Sequence, residues 1–240
     1  MKFSYYGHSC FTLEINGKKL LFDPFISANE LANGLVDVQT IEADYILISH
    51  GHQDHILDAV DIAKRTGAKV ICAWEVMTWL QGQGVENIHP MNTGGKWKFD
   101  DFIVKCTVAQ HSSGMPDGTY GGNPMGFLII SNEGNVYYSG DTALTLDMQL
   151  IPLWCPDLNA AILPIGDNFT MDYEDALMAS EFVQCDNIIG VHFDTFGFIK
   201  VDHNKVIEAF AEKGKAIHLP KIGKTIDLEK HFDDSVLPHI

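Results

Sequence analysis

Positive charge is scarce in this chain, and long apolar runs are missing. Lys and Arg together supply 16 of the 240 residues against 32 Asp and Glu, a formal net charge of −16. A field of that sign repels phosphate backbones, and no Lys/Arg run offsets it, so nucleic acid is not an expected partner. No stretch approaches the roughly 20 apolar residues of a membrane-spanning helix, and Met1–His8 has no signal-like apolar core, so no membrane is expected. The cysteines, Cys10, Cys72, Cys106, Cys155 and Cys185, are odd in number and form no C-x-x-C. They read as reduced, mostly buried thiols of a cytoplasmic protein. There is no fixed-period repeat and no low-complexity segment. What is present is ordinary globular composition, 46% hydrophobic and 20% charged, enough to bury one large core. A single domain over residues 1–240 is expected.

The stretch Ser49-His50-Gly51-His52-Gln53-Asp54-His55 stands out. Asp44–Ile48 before it is an apolar, β-branched run that reads as a buried strand. After it, Ile56, Leu57, Val60, Ile62 and Ala63 follow at helical spacing, with Gly67 at a C-cap position. The motif therefore lies on a strand-to-helix turn, where α/β sheets place their chemistry. Neutral imidazole and carboxylate are the ligands that zinc, manganese or iron accept. On a turning backbone His50 and His52 can chelate one ion, while Asp54 and His55, past the bend, can face a second. A polar loop holding several histidines without a metal would need a partner for every ring nitrogen.

Apolar runs elsewhere also end in metal-ligating residues. Phe102–Ala109 leads to His111, Val136–Ser139 to Gly140-Asp141-Thr142, and Asn187–Val191 to His192. Separate strand ends of this kind converge on one edge of a packed sheet. Strands are also expected at Met1–Tyr6, Cys10–Ile15, Lys19–Phe22, Lys69–Ala73, Lys96–Phe99, Met125–Ile130 and Leu158–Ile165, with Ala216–Leu219 the last. Helices are expected at Trp74–Gln83, Leu146–Leu153, Thr170–Val183 and His203–Glu212. Asn16-Gly17 signals a type I′ hairpin. The glycine-rich loop Ser112–Asn123, beside His111, is a candidate pocket wall. The tail after Asp227 is polar and reads as loosely held.

At these residues the chain resembles the metallo-β-lactamase superfamily over nearly its whole length. The carrying motifs are His50-x-His52-x-Asp54-His55, His111, Asp141 in Ser-Gly-Asp-Thr, and His192. Gly7-His8-Ser9, Asp23-Pro24-Phe25, Pro164-Ile165-Gly166-Asp167 and His192-Phe193-Asp194-Thr195-Phe196 narrow it to the compact metal-dependent hydrolases, similar to the L-ascorbate-6-phosphate lactonase type. The resemblance implies an α/β (α+β) fold, a four-layer αβ/βα sandwich of two mixed sheets. It also implies two divalent metal ions, zinc first, with manganese or iron allowed. His50, His52 and His111 would hold one, Asp54, His55 and His192 the other, and Asp141 would bridge them. The activity implied is a dinuclear metal-dependent hydrolase, in which a metal-bridging hydroxide cleaves a small ester, lactone or phosphoester. The partner is then a small-molecule substrate; self-association into a homo-oligomer is left open. Many family members carry Tyr after the last ligand, where this chain has Phe193.

Other residues have two readings. His8, by resemblance near the metals, could protonate a leaving group or bind substrate, or make a structural hydrogen bond. Asp23 and Asp167, at strand ends, could orient ligand imidazoles or cap turns. Asp54 could orient the nucleophile. Trp74, Trp79, Trp97 and Trp154 read as core aromatics, and Phe193, Phe196 and Phe198 as a pocket rim. His89, His203, His218, His231 and His239 lack a ligand constellation. Three rivals remain: a phosphodiesterase or nuclease of the same fold, a di-iron oxidoreductase, and a non-catalytic ligand-binding protein. In the di-iron group a carboxylate is typical at the position of His52, which argues against that reading here.

Overall fold

The computed structural model describes residues 1–228. From residue 229 on, the expected tail, with His231 and His239, lies outside the described residues. Strands β1 (Lys2–Gly7), β2 (Cys10–Ile15), β3 (Lys18–Phe22), β4 (Tyr45–Leu47), β5 (Lys69–Cys72) and β6 (Ile88–Pro90) lie side by side in the first sheet. Strands β7 (Lys96–Phe99), β8 (Phe102–Val108), β9 (Met125–Ser131), β10 (Gly134–Tyr138), β11 (Ala160–Pro164), β12 (Asn187–Val191) and β13 (Ala216–His218) form the second. A strand the sequence did not suggest, β14 (Lys224–Asp227), returns to the first sheet, antiparallel to β1. It is a polar edge strand, so it lacks the apolar run by which the others are read.

Each sheet is antiparallel through its hairpins and then parallel. β1, β2 and β3 alternate in direction, and β4, β5 and β6 run parallel to β3. β7 to β10 alternate likewise, and β11, β12 and β13 run parallel to β10. The parallel steps need crossovers: that from β3 to β4 holds only the 3-10 turns Glu30–Ala32 and Val38–Thr40, and the others are supplied by α1 (Gln53–Ile56), α2 (Ala59–Thr66), α3 (Trp74–Gly82), α4 (Ile151–Trp154), α5 (Tyr173–Phe182) and α6 (His203–Glu212). The expected helix after His55 is broken at Leu57-Asp58 into α1 and α2. Gly67 closes α2 in a left-handed conformation, φ +72°. The expected helix at Leu146–Leu153 begins as a 3-10 turn, Leu146–Leu150, before α4.

The result is an α/β sandwich of two mixed sheets flanked by helices. Phe11 stacks on its cross-strand partner Phe22 at 4.5 Å, and Tyr138 from the second sheet meets Phe11 edge-on at 5.1 Å. These rings join the sheets in one shared core. Every residue of β11 is buried. Ala160 and Ile162 face that shared core, while Ala161 and Leu163 face a second one built with Ala176 and Ala179 of α5, Val183 just after it, and Phe210 of α6. A strand covered on both faces reads as a continuous apolar run, as here.

The tryptophans correct the sequence reading. Trp74, Trp97 and Trp154 are exposed and Trp79 is half-buried. Phenylalanine, tyrosine and aliphatic side chains fill the interior; Trp79 Nε1 donates to Asp117 at 2.9 Å, and the Lys105 ammonium lies over Trp154. The five cysteines are free and buried. Among the described residues, no helix is long and apolar enough to cross a membrane.

Candidate metal centre

Strand direction decides where the chemistry gathers. β1 and β3 are both antiparallel to β2, and β4 is parallel to β3, so their C-terminal ends share one edge. The same logic aligns the C-terminal ends of β8, β10 and β12. His8, Asp23 and His50 follow closely on β1, β3 and β4; His111, Asp141 and His192 follow closely on β8, β10 and β12. His8, Asp23 and His192 adopt left-handed backbone angles, φ +56°, +41° and +54°. Such angles are uncommon for residues other than glycine and collect where a site requires a sharp turn.

The strand ends bring together three overlapping groups of ligand atoms, each within 4.8 Å: His50, His52 and His111; His8, Asp54, His55 and His192; and His50, His55 and Asp141. His50 Nε2 lies 2.9 Å from His52 Nδ1. Asp141 Oδ2 lies 2.9 Å from His192 Nε2, 3.1 Å from His55 Nε2 and 3.8 Å from His111 Nε2, so this one oxygen reaches both sides. Asp54 Oδ2 lies 3.7 Å from His55 Nε2 and 3.8 Å from His192 Nε2.

Asp23 sets the orientation of two of these imidazoles. It is fully buried. Its Oδ2 accepts from His55 Nδ1 at 2.9 Å, from Ser49 Oγ at 2.6 Å and from Tyr138 OH at 2.6 Å; its Oδ1 accepts from Ser49 N at 2.7 Å. Because the Ser49 hydroxyl proton points at Asp23, the 2.9 Å bond between Ser49 Oγ and His50 Nδ1 places the proton on the imidazole. Both His50 and His55 then turn Nε2 toward the cluster, the atom a cation would take. Ser49 and Tyr138 are functional residues that the sequence reading missed. Neither type marks a site by itself, and only the fold places them on Asp23.

Electrostatics agree with a cation site. Burial holds the His50, His52 and His111 imidazoles below their usual range, hence neutral at pH 7. Burial also acts downward on His55, yet the carboxylates of Asp141, Asp23 and Asp54 outweigh it and raise this imidazole well above its usual range. Positive charge is therefore favoured where those carboxylates converge. Buried His55 Nε2 and Asp141 Oδ1 have no hydrogen-bond partner. Neutral His50, His52 and His111, a His55 whose added positive charge a cation would replace, and ionised Asp141 fit divalent metal ions in a nitrogen and oxygen site.

Two expectations are altered. His8 does not open onto the cavity: its side chain is fully buried, with Nε2 on Asp54 Oδ2 at 3.0 Å and Nδ1 on Thr195 Oγ1 at 3.0 Å. Burial, with the neighbouring His192, pulls its pKa down to about 3, so it is neutral and braces Asp54. Asp167 is exposed, in a left-handed turn at φ +64°, and its Oδ1 accepts from Asn168 N at 2.6 Å. It shapes that turn, while His192 Nδ1 has no hydrogen-bond partner. The turn role, which sequence could not separate from imidazole orientation, is the one this carboxylate performs.

The cluster forms the floor of a cavity of about 940 Å³. His52, Asp54, His111, Asp141 and His192 open into it. Of the glycine-rich loop only Ser112 reaches the lining; the expected wall is supplied instead by Phe25, Ala28, Glu30, Phe169 and Thr195–Phe198. Phe193, expected at the rim, turns inward to the second core.

The sequence profile of the Beta-lactamase superfamily domain matches residues 18–193. A UPF0173 metal-dependent hydrolase of Flavobacterium johnsoniae is 51% identical over 228 residues, covering 95% of this chain and all of the relative; one from Methylacidiphilum infernorum is 46% identical over the same shares. The structure of Igni18, a metallo hydrolase of Ignicoccus hospitalis, superposes with a TM-score of 0.83 at 32% identity, over 94% of this chain and 97% of that one. An isothiocyanate hydrolase from Delia radicum gut bacteria shares the fold, with a TM-score of 0.75 at 20% identity over 95% and 99% of the two chains. With its two-sheet sandwich and its His/Asp cluster, the chain belongs to the UPF0173 metal-dependent hydrolases of the beta-lactamase superfamily.

Proposed function

We propose that this protein is a dinuclear metal-dependent hydrolase acting on a small ester, lactone or phosphoester. The observation that supports this most is Asp141 Oδ2, which lies within 4 Å of His111 on one side and of His55 and His192 on the other. His50, His52 and His111 would hold one ion, Asp54, His55 and His192 the other, and Asp141 both. Bound there, divalent ions supply Lewis acidity and an acidified water near neutral pH. Asp54, on the cavity wall, would orient the nucleophile. His8 fixes Asp54 from behind, and Asp23 fixes His50 and His55. Ser112, Gln53 and Thr195 offer uncharged polar groups to the substrate. Zinc suits this donor set best, with manganese and iron compatible. Its partner is a small molecule, without nucleic acid or membrane.

The test is turnover of ester, lactone and phosphodiester substrates by metal-loaded protein, with His50→Ala combined with His52→Ala as control. Hydrolysis by the wild type that is abolished in the double variant is the expected result. Unchanged turnover in the variant would assign the activity to a contaminant or another site.

A further inference from the structure

The cavity has two unlike ends. Its floor is the His/Asp cluster; its outer wall is phenylalanine. Phe25 and Phe196 pair at 6.3 Å, and Phe169 and Phe198 meet edge-on at 6.4 Å. The four come from three segments: Phe25 after β3, Phe169 after β11, and Phe196 and Phe198 after β12. Phe198 is 77% exposed and Phe169 50%. Large apolar rings held in water around a concave site are characteristic of ligand-binding grooves.

Cations are missing from the same wall. Among the described residues, no Lys or Arg lines the cavity. Arg65, the chain's one arginine, bonds the backbone oxygens of Val38 and Ile41 instead. The wall carries instead Glu30, an exposed carboxylate. A remote phosphate on a substrate would find no charge-assisted donor there and would meet a like charge.

From this asymmetry we infer that the substrate is apolar away from its reacting group: an ester or lactone with an alkyl or aryl substituent lying against Phe25, Phe169, Phe196 and Phe198, and no second anionic group. Phe169 and Phe198 are the specificity-determining residues. The hydrolase reading allows phosphorylated sugars as well as apolar lactones; this inference rests on that reading and selects within it. The reacting carbonyl lies at the floor near Asp54 and Asp141, and the substituent points to the mouth.

Three δ-lactones with the same ring but different substituents test it: δ-valerolactone, δ-decalactone and glucono-δ-lactone 6-phosphate. For metal-loaded wild type, kcat/KM rises at least about tenfold from the first to the second, and the phosphate falls below both. In Phe169→Ala combined with Phe198→Ala, checked by its metal content, the rise shrinks to less than about threefold. A preference for the sugar phosphate, or no rise with the alkyl tail, would overturn the inference. If no lactone is turned over, the lactone branch of the hydrolase reading fails and the wall is tested by binding. Calorimetry of metal-loaded protein should then show 5-hydroxydecanoate held at least about tenfold tighter than 5-hydroxyvalerate, with the difference lost in the double variant. Equal affinity would reject the apolar wall as a binding surface.

Discussion

Asp23 carries more of the site than its turn-like sequence context suggests. It receives four hydrogen bonds, from His55, Tyr138 and twice from Ser49. In Asp23→Asn the amide oxygen can replace Oδ2, but the amide NH2 must then face the Ser49 N–H, donor against donor. The expected cost is about 1–3 kcal/mol of stability, read by urea unfolding of metal-free protein. Metal affinity should fall about 10- to 100-fold in chelator competition, because His50 and His55 lose their anchor. Wild-type affinity in this variant would show that the imidazoles are held by other means. At this scale, sequence revealed the residues whose type and spacing have one efficient use, as in His50-x-His52-x-Asp54-His55. It could not separate Asp23 from Asp167. Both follow strands and both suit turns, and only the packing of Tyr138 and Ser49 decides that one orients imidazoles and the other caps itself.

The strand ends are the elements that assemble the site, and they are packed closely enough to break. A Cβ on Gly166 would sit 2.1 Å from the carbonyl oxygen of His192 and 2.9 Å from Ile199 Cβ. Neither can retreat cheaply, since one is backbone beside a candidate ligand and the other is a buried side chain. Gly166→Ala should therefore lower stability by about 2–3 kcal/mol and weaken metal binding through His192. An unfolding midpoint equal to wild type would contradict the closeness of these two segments. Most elements were legible because their apolar runs were clean. Those misread lack that signal: β14 is a polar edge, and the 3-10 turn before α4 has a helix-like composition. The glycine-rich loop was assigned to the cavity from its nearness to His111. Gly51 N donates to Ser113 Oγ, and Gly121 N to Ser113 O, so the loop folds onto the back of the metal motif instead.

Across the whole molecule, the two sheets repeat one plan, hairpins followed by parallel strands, without any sequence period to announce it. β14 completes the first sheet from the far end of the described chain, as β7 completes the second. The shared core this plan encloses holds Cys10, Cys72 and Cys106 inert, and the second core Cys155 and Cys185. Burial pushes Cys106 up to about 12 and Cys185 up to about 11, and raises Cys10, Cys72 and Cys155 as well. At pH 7.5 hardly any thiolate forms, so an aromatic disulfide reagent should label none of the five in folded protein and all five in guanidinium. Rapid labelling of the native protein would show that the core opens readily.

The most direct test of the account is the number of divalent ions bound per chain, measured by elemental analysis after loading and desalting. The wild type should hold about two, and His52→Ala combined with His111→Ala about one, because Asp54, His55, His192 and Asp141 remain to hold the second. A wild-type protein that takes up no metal under any loading condition, or a variant that still binds two, would contradict it.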